Sequence, residues 1–176
     1  MARCYSDAVT PRHPVPRLWL LSDARNDAAL EAALRRLPRG SGLVFRHYHL
    51  AAAERRARFL HLRRLCRARG IAIVLAATRR EAKAWGADGS YGPGGDLAAA
   101  HSLRELRQVR QAAAVMLSPV HPTRSHPGGK VLGPVRFLLL AARSPVPVIA
   151  LGGMTAGRAR RLPVHGWAAI DGLSCA

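Results

Sequence analysis

Short apolar runs alternate along this chain with longer stretches whose apolar residues recur at helical spacing. Runs appear at residues 18–21, 42–45, 71–76, 97–100, 113–117, 148–151 and 167–170, with a weaker one near 90–91. Between them, Ala29, Leu30, Ala33, Leu34 and Leu37 keep the i, i+3, i+4 rhythm of one helix face, as do Phe59, Leu62 and Cys66 within residues 51–69. Further helices are predicted over residues 79–85, 102–111, 135–142 and 156–162. Gly70 closes the second helix. Residues 92–96, Gly-Pro-Gly-Gly-Asp, form a turn with no room for a helix between the fourth and fifth runs, and only residues 171–176 follow the eighth.

Continuous apolar strands separated by helices imply parallel strands covered on both faces. Eight of them in this order predict a compact (β/α)8 TIM-type barrel with helices reduced after strands 4 and 8. An open doubly wound sheet is the competing architecture. Residues 1–16, with Pro11, Pro14 and Pro16, read as a mobile N-terminal tail, and residues 17–176 as a single barrel domain.

The chain has 176 residues, enough for one domain with a real core, and 49% are hydrophobic, which argues against disorder of the whole. Lys and Arg total 28 against 10 Asp and Glu, a net charge of +18. Such a charge suggests a nucleic-acid or polyphosphate partner. However, the arginines are scattered over every predicted helix and aromatics are few, so the reading here is compositional bias, with nucleic acid not expected as a partner. Three cysteines without CxxC spacing indicate neither a disulfide framework nor a zinc site. No run approaches the ~20 residues of a membrane span, and a cytoplasmic location is expected. Oligomeric state is left open, a homo-oligomer included.

The richest chemistry lies in residues 117–129, where the strand at 113–117 stops in a loop crowded with Pro, Gly, hydroxyls and His. Thr123 and Ser125, two apart in an extended loop, can project the same way. Gly152-Gly153 follows another strand and precedes a helix, a place where backbone N–H groups bind phosphate; the same pair also suits a tight strand-to-helix turn. Both loops suggest one shared pocket. Histidine is the side chain suited to acid–base work near neutral pH, so His121, His126 and His101 are candidate bases, with His101 also suited to starting a helix. Trp85 and Trp167 read as packing residues.

Ala87-Asp88-Gly89, then residues 118–125 (Ser-Pro-Val-His-Pro-Thr-Arg-Ser), then residues 147–154 ending in Gly152-Gly153-Met154 resemble, in order and spacing, the thiamine phosphate synthase and thiazole tautomerase superfamily. The resemblance covers about residues 17–173 and implies the same barrel fold. It implies small-molecule phosphate ligands, thiazole phosphate and hydroxymethylpyrimidine pyrophosphate, joined with Mg2+ as cofactor. Thr123, Ser125, Gly152 and Gly153 match the thiazole-phosphate loops, and Arg46 and Lys130 would neutralise pyrophosphate. With the two loop histidines read from their chemistry, His121, His126 and Arg46 form the candidate catalytic set. The family's Asn-Asp pair at the end of the third strand falls on Ala76 and Ala77, leaving Asp96 as a candidate metal ligand. A usual Ser after the eighth strand is Asp171. Three activities follow from the resemblance: synthase-like coupling in thiamine biosynthesis, metal-free tautomerase-type proton transfer, and non-catalytic binding of thiazole or thiamine phosphate.

Overall fold

A computed structural model describes residues 14–125 and 128–173. Eight parallel strands run in the order β4-β3-β2-β1-β8-β7-β6-β5. They are β1 (Leu18–Leu21), β2 (Gly42–Phe45), β3 (Ala72–Leu75), β4 (Gly89–Ser90), β5 (Leu97–Ala100), β6 (Ala114–Leu117), β7 (Val148–Ala150) and β8 (Gly166–Ala169). β1 pairs with both β2 and β8, which excludes the open doubly wound sheet. A single parallel bridge, Tyr91 to Leu97, joins the β4 and β5 edges and nearly closes the barrel.

The strands are legible as apolar runs because both of their faces are buried. Every residue of β2 and β6 is inaccessible to solvent or nearly so. One face fills the barrel with Trp19, Leu21, Val44, Val74, Met116 and Ile149. Trp19 fits because its register partner is Gly42: a Cβ there would lie 2.3 Å from the indole. The opposite faces form two outer cores. Leu20, Phe45, Ile73 and Leu75 pack with Phe59, Leu62 and Cys66 of α2 (Ala52–Arg69) and with α1 (Leu30–Arg36). Val115 and Leu117 pack with Leu106 of α4 (Leu103–Leu106) and Phe137 of α5 (Gly133–Ala141).

Each helix end has a local cause. Thr78 caps α3 (Arg79–Trp85) by accepting from the Glu81 N–H, and Gly86 ends it at φ 71°. Gly70 ends α2 in the same left-handed conformation. The first predicted helix instead opens as a 3-10 turn, Ala24–Ala29, because Asp23 and Asn26 form a reciprocal capping box ahead of Leu30. The helix predicted over residues 102–111 stops at Leu106. Ala113 already donates to the Asp96 carbonyl at the entry to β6, so residues 107–112 must unwind to reach it. Likewise α6 (Ala156–Ala159) is a single turn, with Pro163 close behind. No helix separates β4 from β5, and the described chain after β8 is the 3-10 turn Asp171–Leu173. Residues 1–13 of the predicted tail lie outside the described residues, as do residues 126, 127 and 174–176. Among the described residues no helix is long and apolar enough to cross a membrane.

Candidate functional site

β6 and β7 are hydrogen-bonded neighbours, so the loops that leave their C-terminal ends meet. Val120 donates to the Leu151 carbonyl at 2.9 Å and His121 to the Gly152 carbonyl at 3.1 Å. Glycine is required at this junction. Gly152 (φ 97°) and Gly153 (φ 59°) are left-handed, and a Cβ on them would come within 2.6 Å of Pro119 and 2.4 Å of the Pro122 carbonyl respectively.

The joined loops form one wall of a cavity of about 850 Å³ at the C-terminal ends of the strands. In barrels this end carries the site, because loops there vary without disturbing the strands. Arg46, Thr123, Ser125, Lys130, Gly152 and Gly153, all singled out in the sequence, line it. His121 does not; it lies against the Gly153 side of the loop, where burial and then the charge of Arg158 lower its pKa. His126 lies outside the described residues. His101 does line the cavity, at the end of β5, where its Nδ1 donates to the Ser118 carbonyl at 3.0 Å. That bond leaves Nε2 of the neutral ring as the basic nitrogen.

Arg124 and Arg158 also face the cavity, joining Arg46 and Lys130. Arg158 donates to the Gly153 carbonyl, so it braces the glycine turn as well as charging it. Among the described residues Asp171 is the one lining carboxylate, and it is not bare: Arg25 Nη1 stands 3.3 Å from it. The same guanidinium donates from Nη2 to the Ser125 hydroxyl at 2.9 Å and from Nε to Asp23 at 2.9 Å. Three loops, after β1, β6 and β8, thus share one arginine.

Arg46 is fixed by an equally connected network. Its N–H donates to Ser22 Oγ at 2.8 Å, its Nε to the Ser22 carbonyl at 2.9 Å and its Nη2 to Asp23 at 2.8 Å. His47, buried behind it, contacts Ser22 Oγ through Nδ1 and Asp27 through Nε2, each at 2.7 Å. A carboxylate only accepts, so Nε2 carries the proton, and the neutral ring takes the Ser22 hydroxyl hydrogen at Nδ1. Burial lowers the His47 pKa in keeping with a neutral ring. Although these are Ser, His and Asp, they are no nucleophilic triad: Ser22 is fully buried and its oxygen already accepts from Arg46. Burial raises the Asp27 carboxyl pKa, but hydrogen bonds from His47 and Arg58 outweigh it and the net shift is downward. No sequence pattern marked Arg25 or His47. Arg124, inside the hydroxyl motif, was the additional cation most open to detection.

The residues present do not fit Mg2+ at this site. Magnesium needs carboxylate oxygens in near-octahedral array. Ala76 and Ala77, at the end of β3, offer methyl groups. Asp96 does not line the cavity; its Oδ2 accepts from the Ser90 N–H and hydroxyl, and its Oδ1 pairs with Arg79. Asp23 and Asp171 are taken by arginines. One cluster among the described residues, Asp27, His47 and His49, brings possible ligand atoms within 4.8 Å. It is not part of the cavity lining, and Arg58 already sits 2.6 Å from Asp27.

Fold and site together define a (β/α)8 barrel with a cation-lined cavity at the C-terminal ends of its strands. The chain is similar to the solved structure of a thiamine phosphate pyrophosphorylase from Pyrococcus furiosus, with a TM-score of 0.75 and 22% identity over 90% of this chain and 87% of that one. Its fold is thiamine phosphate synthase-like. No protein-family model and no curated protein matches the sequence.

Proposed function

We propose that this chain binds a small heterocyclic phosphate of thiamine biosynthesis, with thiazole phosphate the leading ligand. The observation that carries the reading is the convergence of Thr123, Ser125, Gly152, Gly153 and four cationic side chains on one cavity. Hydroxyls and glycine backbone suit phosphate oxygens, and the surrounding guanidinium and ammonium groups supply charge without a metal. The volume is of the size that accommodates small ligands.

Coupling of thiazole phosphate to hydroxymethylpyrimidine pyrophosphate is the reaction attached to this fold by the resemblance. By that resemblance Thr123, Ser125, Gly152 and Gly153 of the thiazole-phosphate half are kept, while Asp171 replaces its usual Ser and is paired with Arg25. For the pyrophosphate half, Arg46 and Lys130, which line the same cavity, would supply positive charge. A second reading, tautomerase-type proton transfer, is favoured by His101, which faces the same cavity with one ring nitrogen committed to Ser118.

Calorimetric titration tests the binding. Thiazole phosphate is expected to bind at least tenfold more tightly than the unphosphorylated thiazole alcohol, and Thr123→Ala with Ser125→Ala to erase most of that difference. Equal affinity for the two compounds overturns the reading. A His101→Gln variant that keeps affinity but loses isomerisation of the thiazole carboxylate phosphate would support the second reading.

A further inference from the structure

The arginines that look dispersed along the sequence are gathered by the fold. The cavity occupies one end of the barrel; the opposite end is built from the segments that lead into each strand. β7, β8, β1, β2 and β3 are consecutive neighbours in the sheet. Arg143 precedes β7, Arg160 and Arg161 precede β8, and Arg17 precedes β1. Arg35 and Arg39 precede β2, and Arg67 and Arg69 precede β3. All are exposed. Adjacent strands are roughly 5 Å apart, so these entries trace one continuous arc.

Contacts across the arc agree with that placement. Arg69 donates to the Arg35 carbonyl at 2.5 Å. The Arg39 guanidinium lies over Gly70, where an added Cβ would meet it at 3.1 Å. Trp167, in β8, donates to the Arg17 carbonyl at 2.8 Å.

The arc is also free of opposing charge. The stretches entering these five strands, residues 14–17, 37–41, 67–71, 142–147 and 160–165, contain no Asp or Glu. None of the eight arginines forms an ion pair with an acidic side chain among the described residues. Acidic residues at this end precede β4 and β5, beyond the β3 end of the arc, and are occupied: Asp88 accepts from the Ile73 N–H and Asp96 pairs with Arg79. Cations at helix C-termini complement the helix dipole, which accounts for Arg35, Arg67 and Arg69. Arg17 and Arg39 lie in no helix, so that explanation does not reach them.

We propose that this arginine arc is a nucleic-acid-binding surface that grips the phosphate backbone. A row of planar, forked donors matches successive phosphates. The arc lacks the broad apolar face a bilayer would require: among the described residues the exposed large hydrophobics Tyr48, Val131 and Val135 follow β2 or stand at the start of α5, at the cavity end, and Leu139, late in α5, lies nearer the arc. With no exposed aromatic among the described residues of the arc to stack on bases, the binding is independent of sequence and steeply salt-dependent. It is separate from the cavity and does not depend on its ligand.

The test is fluorescence anisotropy of the full chain with a labelled mixed-sequence duplex, across about 50 to 200 mM salt. A triple variant, Arg17→Gln, Arg39→Gln and Arg161→Gln, is compared with Arg56→Gln, Arg80→Gln and Arg104→Gln. The second removes the same charge from exposed positions elsewhere. Affinity is expected to fall about tenfold or more in the first, with the log–log salt slope reduced by about 2 to 3, and to change less than twofold in the second. Circular dichroism melting confirms that both variants fold. No binding at the lowest salt overturns the proposal. So does an equal loss in both triples, which would reflect net charge alone. Equally tight binding to phosphatidylserine vesicles would assign the surface to membranes instead.

Discussion

Arg25 holds Asp171 at 3.3 Å while donating to the Ser125 hydroxyl at 2.9 Å, so the one carboxylate lining the cavity among the described residues is neutralised by a residue 146 positions away. An uncompensated Asp171 would repel a phosphate; paired, it becomes part of a bridge between the β6 and β8 loops. Arg25→Met should therefore lower affinity for thiazole phosphate roughly three- to tenfold, the modest range reflecting solvent screening of a partly exposed pair. Adding Asp171→Ser to Arg25→Met should restore most of it. Failure of the second substitution to rescue would show that Arg25 acts through Ser125 or loop shape. Calorimetry on the four proteins of this cycle separates the cases.

Gly153→Ala should destabilise the protein by about 1–3 kcal/mol, because it forces a left-handed alanine and drives Cβ against the Pro122 carbonyl. Gly157→Ala on α6 is the control: nothing lies within 4 Å of its Cβ position, and a gain of up to about 1 kcal/mol is expected. Denaturant titration of both variants measures the difference. Equal effects would mean that the junction of the β6 and β7 loops is looser than its geometry implies.

Stability should fall on acidification in two windows. Burial lowers the His47 pKa, so below about pH 6.5 the unfolded chain binds a proton that the folded chain resists, and stability drops. Hydrogen bonding by Arg58 lowers the Glu31 pKa, and hydrogen bonds overcome burial to lower those of Asp23 and Asp27. Their contribution is present above the unfolded carboxyl range near pH 4 and is lost as pH falls through the lowered folded values. Thermal melts from neutral to acid pH should show both declines. His47→Gln should flatten the upper one and leave the lower one in place.

Removal of divalent metal should leave ligand affinity unchanged, because arginine and lysine rather than carboxylates surround the cavity. Titration of thiazole phosphate in EDTA and in excess Mg2+ checks this. A tenfold gain with Mg2+ would point to oxygen ligands recruited by the bound phosphate itself.

The strands were legible because each is buried on both faces. Leu43-Val44-Phe45 and Val115-Met116-Leu117 read as unbroken apolar runs whatever surrounds them. Helix lengths were less so: nothing between Leu106 and Gln111 announces that the chain must unwind to meet Asp96. The loop residues from Ser118 to Ser125 and Gly152-Gly153 stood out by composition. His101 was a candidate base too, but its place in the cavity was not legible, because a histidine beside a helix start looks the same whether or not its ring reaches a cavity.

The sequence by itself determined the periodicity, hence eight strands, their parallel order and the two loops rich in hydroxyls and glycine, since these are local properties of residue size and polarity. Tertiary structure decided which side chains share a space. Barrel closure sets β1 beside β8 and so brings Arg25 to Asp171, carries His101 into the cavity while leaving His121 outside its lining, and collects separated arginines on the opposite pole. Those pairings depend on distances across the closed sheet, which no spacing along the chain encodes.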